Sequence, residues 1–86
     1  MDYVLTLHAR EEMVRRQISS DWIEQVMKHP EQKLPGAGNR TIWQKRIESE
    51  GIPFLVRCVI EDWHNPPVVV TVYRTSKIEK YWSDES

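Results

Sequence analysis

The chain of 86 residues carries one cysteine, three glycines, one phenylalanine and no net positive charge. A lone Cys58 excludes an intramolecular disulfide and any zinc site built on several thiolates. It lies in an apolar run, where a thiol is expected to be buried and inert. The formal charge of −1 and the pI near 6.3 exclude a global basic field of the kind that gathers nucleic acid. Any anion site must therefore come from local clustering among the 12 Lys and Arg. No apolar run approaches the ~20 residues of a membrane span, and the N-terminus lacks the basic-then-apolar pattern of a signal peptide. A cytoplasmic location without a membrane partner is the expectation. The three histidines, His8, His29 and His64, have no metal-ligand spacing, so neither metal nor cofactor is expected.

What is present suits one small folded domain, expected over residues 1–82 with a disordered tail at 83–86. Hydrophobic residues make up 40% of the chain and include four Trp, which argues against disorder. Residues 3–5 read as a short strand. Thr6 is placed to cap a helix running to about Arg16, which Gln17 and Ile18 end. Ser19 caps a second helix, with Asp21 in its first turn and Ile18 positioned to staple against Ile23. Pro30 limits that helix to about Lys28. Residues 34–39 (Leu-Pro-Gly-Ala-Gly-Asn) read as loop.

The period then becomes extended. Strands are expected over residues 41–47, 54–61 and 68–74, with a hairpin connection around Gly51 and a turn over 62–67. Residues 78–82 read as a short strand or a helical turn. The expected fold is α+β: two N-terminal helices on one face of a three- to four-stranded antiparallel sheet, in the order (β)ααβββ. Alternation sends Phe54, Val56, Cys58 and Ile60 toward the helices, with Val68, Val70 and Val72 beside them. It leaves Arg57, Val69, Thr71 and Tyr73 on the opposite, open face.

Residues with chemical potential fall in two places. On the first helix, His8, Glu12 and Arg15 lie within about 60° of one another, with Arg16 at the edge. Histidine is the side chain suited to proton transfer near neutral pH, and arginine neutralises charge at phosphate. On the strands, Lys45, Arg46, Arg57 and Arg74 are available as phosphate ligands, and Thr71 and Tyr73 as hydroxyl donors. Those residue types suit cleavage of RNA without a metal. His8 would take the 2′-hydroxyl proton, arginines would stabilise charge on the phosphate, and Tyr73 would protonate the leaving oxygen.

Each feature also has a purely structural reading. His8 serves equally as a packing residue in a first helical turn, and Arg10, Arg15 and Arg16 as a solvated face. Thr71 and Tyr73 satisfy β-propensity alone. Trp43, Trp63 and Trp82 serve as stacking platforms for bases or as ordinary core and edge cover. Arg57 is the exception, because a charge in the middle of a central strand needs an explanation.

The residues His8-Ala9, Met13, Arg16, Ile18-Ser19, Pro30 and Val69-Val70-Thr71-Val72-Tyr73 resemble domain-of-unknown-function family 4258. Its pattern opens His-Ala-x-x-Arg-Met-x-x-Arg-x-Ile and closes Val-Val-Thr-Val-Tyr. The resemblance implies a fold like that of RelE-like and barnase-like ribonuclease toxins, and metal-independent RNA cleavage. It places the family's histidine on His8, its second arginine on Arg16, and its closing threonine and tyrosine on Thr71 and Tyr73. Where the pattern often has its first arginine, this chain has Glu12, which offsets basic charge beside His8.

The expected function is thus a metal-independent endoribonuclease, the toxin of a toxin–antitoxin pair, acting through His8, Arg16, Arg57 and Tyr73. Thr71, Lys45, Arg46 and Arg74 would bind substrate. Its partners would be RNA and an antitoxin protein, with a homodimer also open. The alternative is a non-catalytic module that keeps the fold and binds a protein. A single catalytic site requires the start of the first helix to meet the open sheet face.

Overall fold

In a computed structural model that describes residues 2–84, both expected helix caps are formed. After a two-residue strand, β1 (Val4–Leu5), the Thr6 hydroxyl accepts from the Ala9 amide at 3.0 Å and starts α1 (Leu7–Arg15). The same hydroxyl donates to the Val70 carbonyl at 3.1 Å, which ties the helix start to the last strand. α1 closes with two reversed bonds, Ile18 amide to Met13 carbonyl at 2.8 Å and Gln17 amide to Val14 carbonyl at 3.3 Å. Gln17 takes the left-handed position between them, at φ 55°. The Ser19 hydroxyl then accepts from the Trp22 amide at 3.1 Å and opens α2 (Ser20–Lys28). Ile18 and Ile23 are both buried beside this cap, where the staple was expected.

The sheet differs from expectation in strand number and direction. It has five strands, with β2 (Gln32–Pro35), β3 (Thr41–Ser49), β4 (Ile52–Glu61) and β5 (Val68–Thr75) joining β1 in the order β1-β5-β4-β3-β2. β1 pairs with β5 in parallel, through Val4 opposite Val68 and Leu5 opposite Val69, so the sheet is mixed rather than antiparallel. Local alternation carries no information about which distant strand receives a two-residue segment. β2 replaces the start of the expected loop. It pairs only with β3, so Pro35 sits on an edge strand, where the missing amide costs no ladder bond. A third helix, α3 (Ile78–Tyr81), takes the helical of the two forms, short strand or helical turn, that were open for residues 78–82.

The β3–β4 hairpin turns on Glu50 and Gly51, whose φ values of 52° and 79° are those of a tight two-residue turn matched to strand twist. The turn is tighter than the expected connection, and the strands run on to Ser49 opposite Ile52. Between β4 and β5 the register shifts: Val59 pairs with Thr71 but Ile60 with Val69, leaving Val70 as the extra residue of a bulge. The bulge corrects the expected sorting of this strand. Val69 and Val72 are fully buried in the core, whereas Val68 and Val70 are half-buried.

The core lies between the helices and one sheet face, with Ala9, Ile23, Val26 and Met27 against Ile47, Val56, Cys58, Ile60, Val69 and Val72. Tyr3 seals its rim by donating to Glu24 Oε1 of α2 at 2.7 Å. The opposite face is not open. The chain after β5 folds back across it, and Ser83 exchanges two hydrogen bonds with Gln32, at 2.6 and 3.1 Å. Ser83, expected to belong to the tail, is thus bonded to the sheet, and residues 85–86 of that expected tail lie outside the described residues.

Candidate functional site

The sheet register sets four polar side chains in one row across four strands: Gln32 opposite Gln44, Gln44 opposite Arg57, and Arg57 opposite Tyr73. They are bonded in sequence. Gln44 Nε2 donates to Gln32 Oε1 at 2.7 Å, Arg57 Nε donates to Gln44 Oε1 at 2.7 Å, and an Arg57 terminal nitrogen donates to the Tyr73 hydroxyl. Gln44 is fully buried and Arg57 is 6% exposed. The Arg57 guanidinium lies between two rings, its Cζ 5.3 Å from the Tyr73 centroid and 4.5 Å from that of Tyr81 in α3.

Among the described residues, Arg57 has no carboxylate partner. A buried guanidinium without a counter-ion costs on the order of several kcal/mol, which neutral acceptors and ring faces offset only in part. An anion that reached the guanidinium would supply the missing counter-charge.

α1 meets this row at its C-terminal end. Arg16 Cζ lies 6.0 Å from the Tyr73 ring. Glu12, itself 7% exposed, accepts from Arg16 Nε at 2.8 Å and from Arg15 at 3.1 Å. The Arg16 hydrogen bond, helped by the charge of Arg15, holds the Glu12 carboxyl below the usual carboxylate range. One carboxylate therefore serves two guanidiniums here, and with Arg57 the cluster of three arginines keeps an excess of positive charge despite the acidic composition of the chain.

His8 is not a member of that cluster. It is exposed, one turn before Glu12 and two turns before Arg16, which is about 12 Å along a helix axis. Helix and sheet face meet, but through Arg16 rather than His8. Thr71 lies on the Tyr73 side of the sheet, half-buried and opposite Val59. The expected phosphate ligands are dispersed. Lys45 and Arg74 flank Val56 in a row on the helix-bearing face. There Lys45 Nζ donates to the His29 carbonyl at 3.2 Å, and Arg74 covers the rings of Phe54 and Trp22 at 4.7 and 5.4 Å. Arg46 shares the face of Arg57 but is held by Glu31 at 2.8 Å and stacks on Trp82 at 4.1 Å.

Gln32, Gln44, Tyr81 and Ser83 were not foreseen as parts of the site. For Gln44 a signal existed: a turn centred on Glu50 and Gly51 places residue 44 opposite residue 57. For Tyr81 and Ser83 none did, since their places depend on where the chain goes after the last strand.

Fold and cluster together define a small α+β domain with a buried, carboxylate-free arginine in a polar row beneath a short C-terminal helix. The chain belongs to the family of domains of unknown function DUF4258, whose pattern it matches over residues 5–74. α3 lies beyond that match. No curated protein and no solved structure matches the chain significantly. Among the described residues, no helix is long and apolar enough to cross a membrane.

Proposed function

We propose that this domain binds the phosphodiester backbone of single-stranded RNA at the Arg16–Tyr73–Arg57 cluster and cleaves it without a metal, in the manner of RelE-like and barnase-like toxins. The observation that carries the proposal is the Arg57 guanidinium, buried against Tyr73 with no carboxylate among the described residues to neutralise it. Arg57 and Arg16 would stabilise charge gathering on the scissile phosphate, and Tyr73, between them, would donate its proton to the leaving oxygen. The 2′-hydroxyl proton would pass to water at the edge of the cluster, since His8 lies about 12 Å from Arg16 along α1. His8 and Thr71 would instead hold the nucleotide lying along α1 toward its N-terminus.

The test is induced expression of wild type, His8→Ala, Arg57→Ala and Tyr73→Phe, scoring growth and RNA integrity. Arrest and RNA loss confined to wild type are expected, and would also fit the toxin of a toxin–antitoxin pair. Arrest that survives all three substitutions refutes the proposed chemistry.

A second proposal, a non-catalytic protein-binding module, draws on a different surface. Leu7 and Val14 on α1 are 74% and 82% exposed and two turns apart, and Val14 lines a groove with Leu5, Met13 and Ile18. Intact RNA in wild-type cells together with a co-purifying protein lost on Leu7→Ser and Val14→Ser would favour it.

A further inference from the structure

We propose that the C-terminal strap, residues 76–83, occupies the place of the RNA strand, with the Tyr81 ring standing where a nucleobase would stack, so that the site is self-blocked at rest and RNA binds by displacing α3. This rests on the phosphate chemistry assigned above to Arg57 and Tyr73.

The strap reproduces the contacts of a nucleotide. The Tyr81 ring lies over the Arg57 guanidinium at 4.5 Å and edge-on to Tyr73 at 6.3 Å. Bases of a single strand are stacked in this way on arginine planes and aromatic rings. Two backbone oxygens of the strap fall on amide donors of the polar row: Gln44 Nε2 donates to the Tyr81 carbonyl at 3.2 Å, and Gln32 Nε2 to the Ser83 carbonyl at 2.6 Å. Neutral amides and a guanidinium are donors that a phosphate oxygen can take over without loss. When the strap leaves, the donors of Arg57, Gln44 and Gln32 are ones that an anionic, ring-bearing ligand satisfies. Gln32 Oε1, which gives up the Ser83 amide at 3.1 Å, still accepts from Gln44 Nε2.

The strap is also built to leave. None of the residues of α3 is buried, and a single helical turn has little internal stability of its own. It is held by polar bonds and by Trp82 on Arg46 at 4.1 Å, and none of its residues belongs to the core cluster beneath the helices. A ligand shifts such an equilibrium only by binding the open state better, and RNA does so because the closed state has no room for it over Arg57.

The experiment compares full-length wild type, Tyr81→Ala and Trp82→Ala, each with and without Arg57→Gln, for binding of a fluorescein-labelled single-stranded RNA. Backbone hydrogen exchange is followed at Trp82 and Ser83, and cleavage is scored in parallel. Tyr81→Ala is expected to bind about tenfold tighter, with the gain lost on adding Arg57→Gln. Trp82→Ala should move the same way, and saturating RNA should speed exchange at both amides in the wild type. Equal, Arg57-dependent affinity in all three proteins overturns the strap and leaves the phosphate chemistry standing. Tighter Arg57-dependent binding without cleavage by any form supports the strap and overturns the ribonuclease. Slower exchange at Trp82 and Ser83 on adding RNA overturns displacement even if Tyr81→Ala does not fold.

Discussion

Arg57 and Tyr73 stand directly opposite one another on β4 and β5, and the guanidinium donates across the strands to the phenol oxygen. An oxygen used in this way as an acceptor keeps its own proton for another partner. That partner is what a phosphate, or a leaving oxygen, would supply. Arg16 approaches the same ring from α1, so the phenol lies within reach of two guanidiniums carried by different elements. The charge balance of the site is then set by Glu12.

Glu12 should make the domain acid-sensitive. Its carboxyl is held low, first by the Arg16 hydrogen bond, so the unfolded chain takes up a proton there more readily than the folded one. Its contribution is present above the ordinary carboxylate range and is lost as pH falls from about 4.3 toward the depressed folded value. Thermal unfolding followed between pH 7 and 3 should show a shallower acid loss in Glu12→Gln than in wild type. The same substitution removes the one carboxylate shared by Arg15 and Arg16. Tighter RNA binding with a steeper salt dependence is expected, by fluorescence anisotropy across a salt series.

Gln17 occupies the left-handed position after α1 with a side chain that gains nothing from it. Left-handed backbone costs a non-glycine residue about 1–2 kcal/mol, and glycine gives back part of the relief as unfolded-state entropy. Gln17→Gly should therefore stabilise by about 0.5–1 kcal/mol, a rise of several degrees in Tm for a domain of this size. Gln17→Ala should not, and the pair measured together separates backbone relief from loss of the side chain.

Cys58 should behave as an inert thiol. It is fully buried in the core, and burial pushes its pKa up to about 12. An aromatic disulfide reagent at pH 8 should label it only as fast as the protein opens, and stoichiometrically in denaturant. Rapid labelling of the folded protein would contradict the burial. Tyr3, raised to about 12 by burial and by its bond to Glu24, adds the matching alkaline effect. Stability that it contributes is complete below pH ~10 and falls as the pH passes toward 12.

The sequence rules that worked were local ones. Thr6 and Ser19 have the side-chain oxygen a helix start needs, Pro30 ends α2, and strand alternation assigned Val56, Cys58 and Ile60 to the core and Arg57 to the other face. What failed depended on distance or on one extra residue. The bulge at Val70 reversed the burial of Val69, and no pattern in a run of valines announces which one is unpaired. β1 found its parallel partner more than 60 residues away, and Leu34 and Pro35, loop-like by composition, form an edge strand because β3 offered a free edge. For the site, strand alternation placed Arg57 and Tyr73 together, but Arg16 reached them only because β1 sets α1 beside β5. The closing strap was invisible, since its hold on the sheet is a handful of polar bonds.

The bond between Gln44 and Arg57 provides the most discriminating stability test. Gln44 Oε1 accepts from Arg57 Nε at 2.7 Å inside the protein, where no water replaces it. Gln44→Leu leaves that donor unmatched beside an apolar group and should cost about 1–3 kcal/mol. Arg57→Met removes the buried charge itself, and with it the cost of keeping it out of water, but strands the Gln44 oxygen and the Tyr73 hydroxyl. The double variant removes both ends of the bond and fills the row with apolar volume. Its loss should be well below the sum of the single losses, with a coupling of about 1–2 kcal/mol in a denaturation cycle. A double variant as stable as wild type that no longer binds RNA would mean that the buried arginine is kept at the expense of stability for what it binds. Strict additivity would mean that Gln44 and Arg57 act independently, and that the polar row is not a unit.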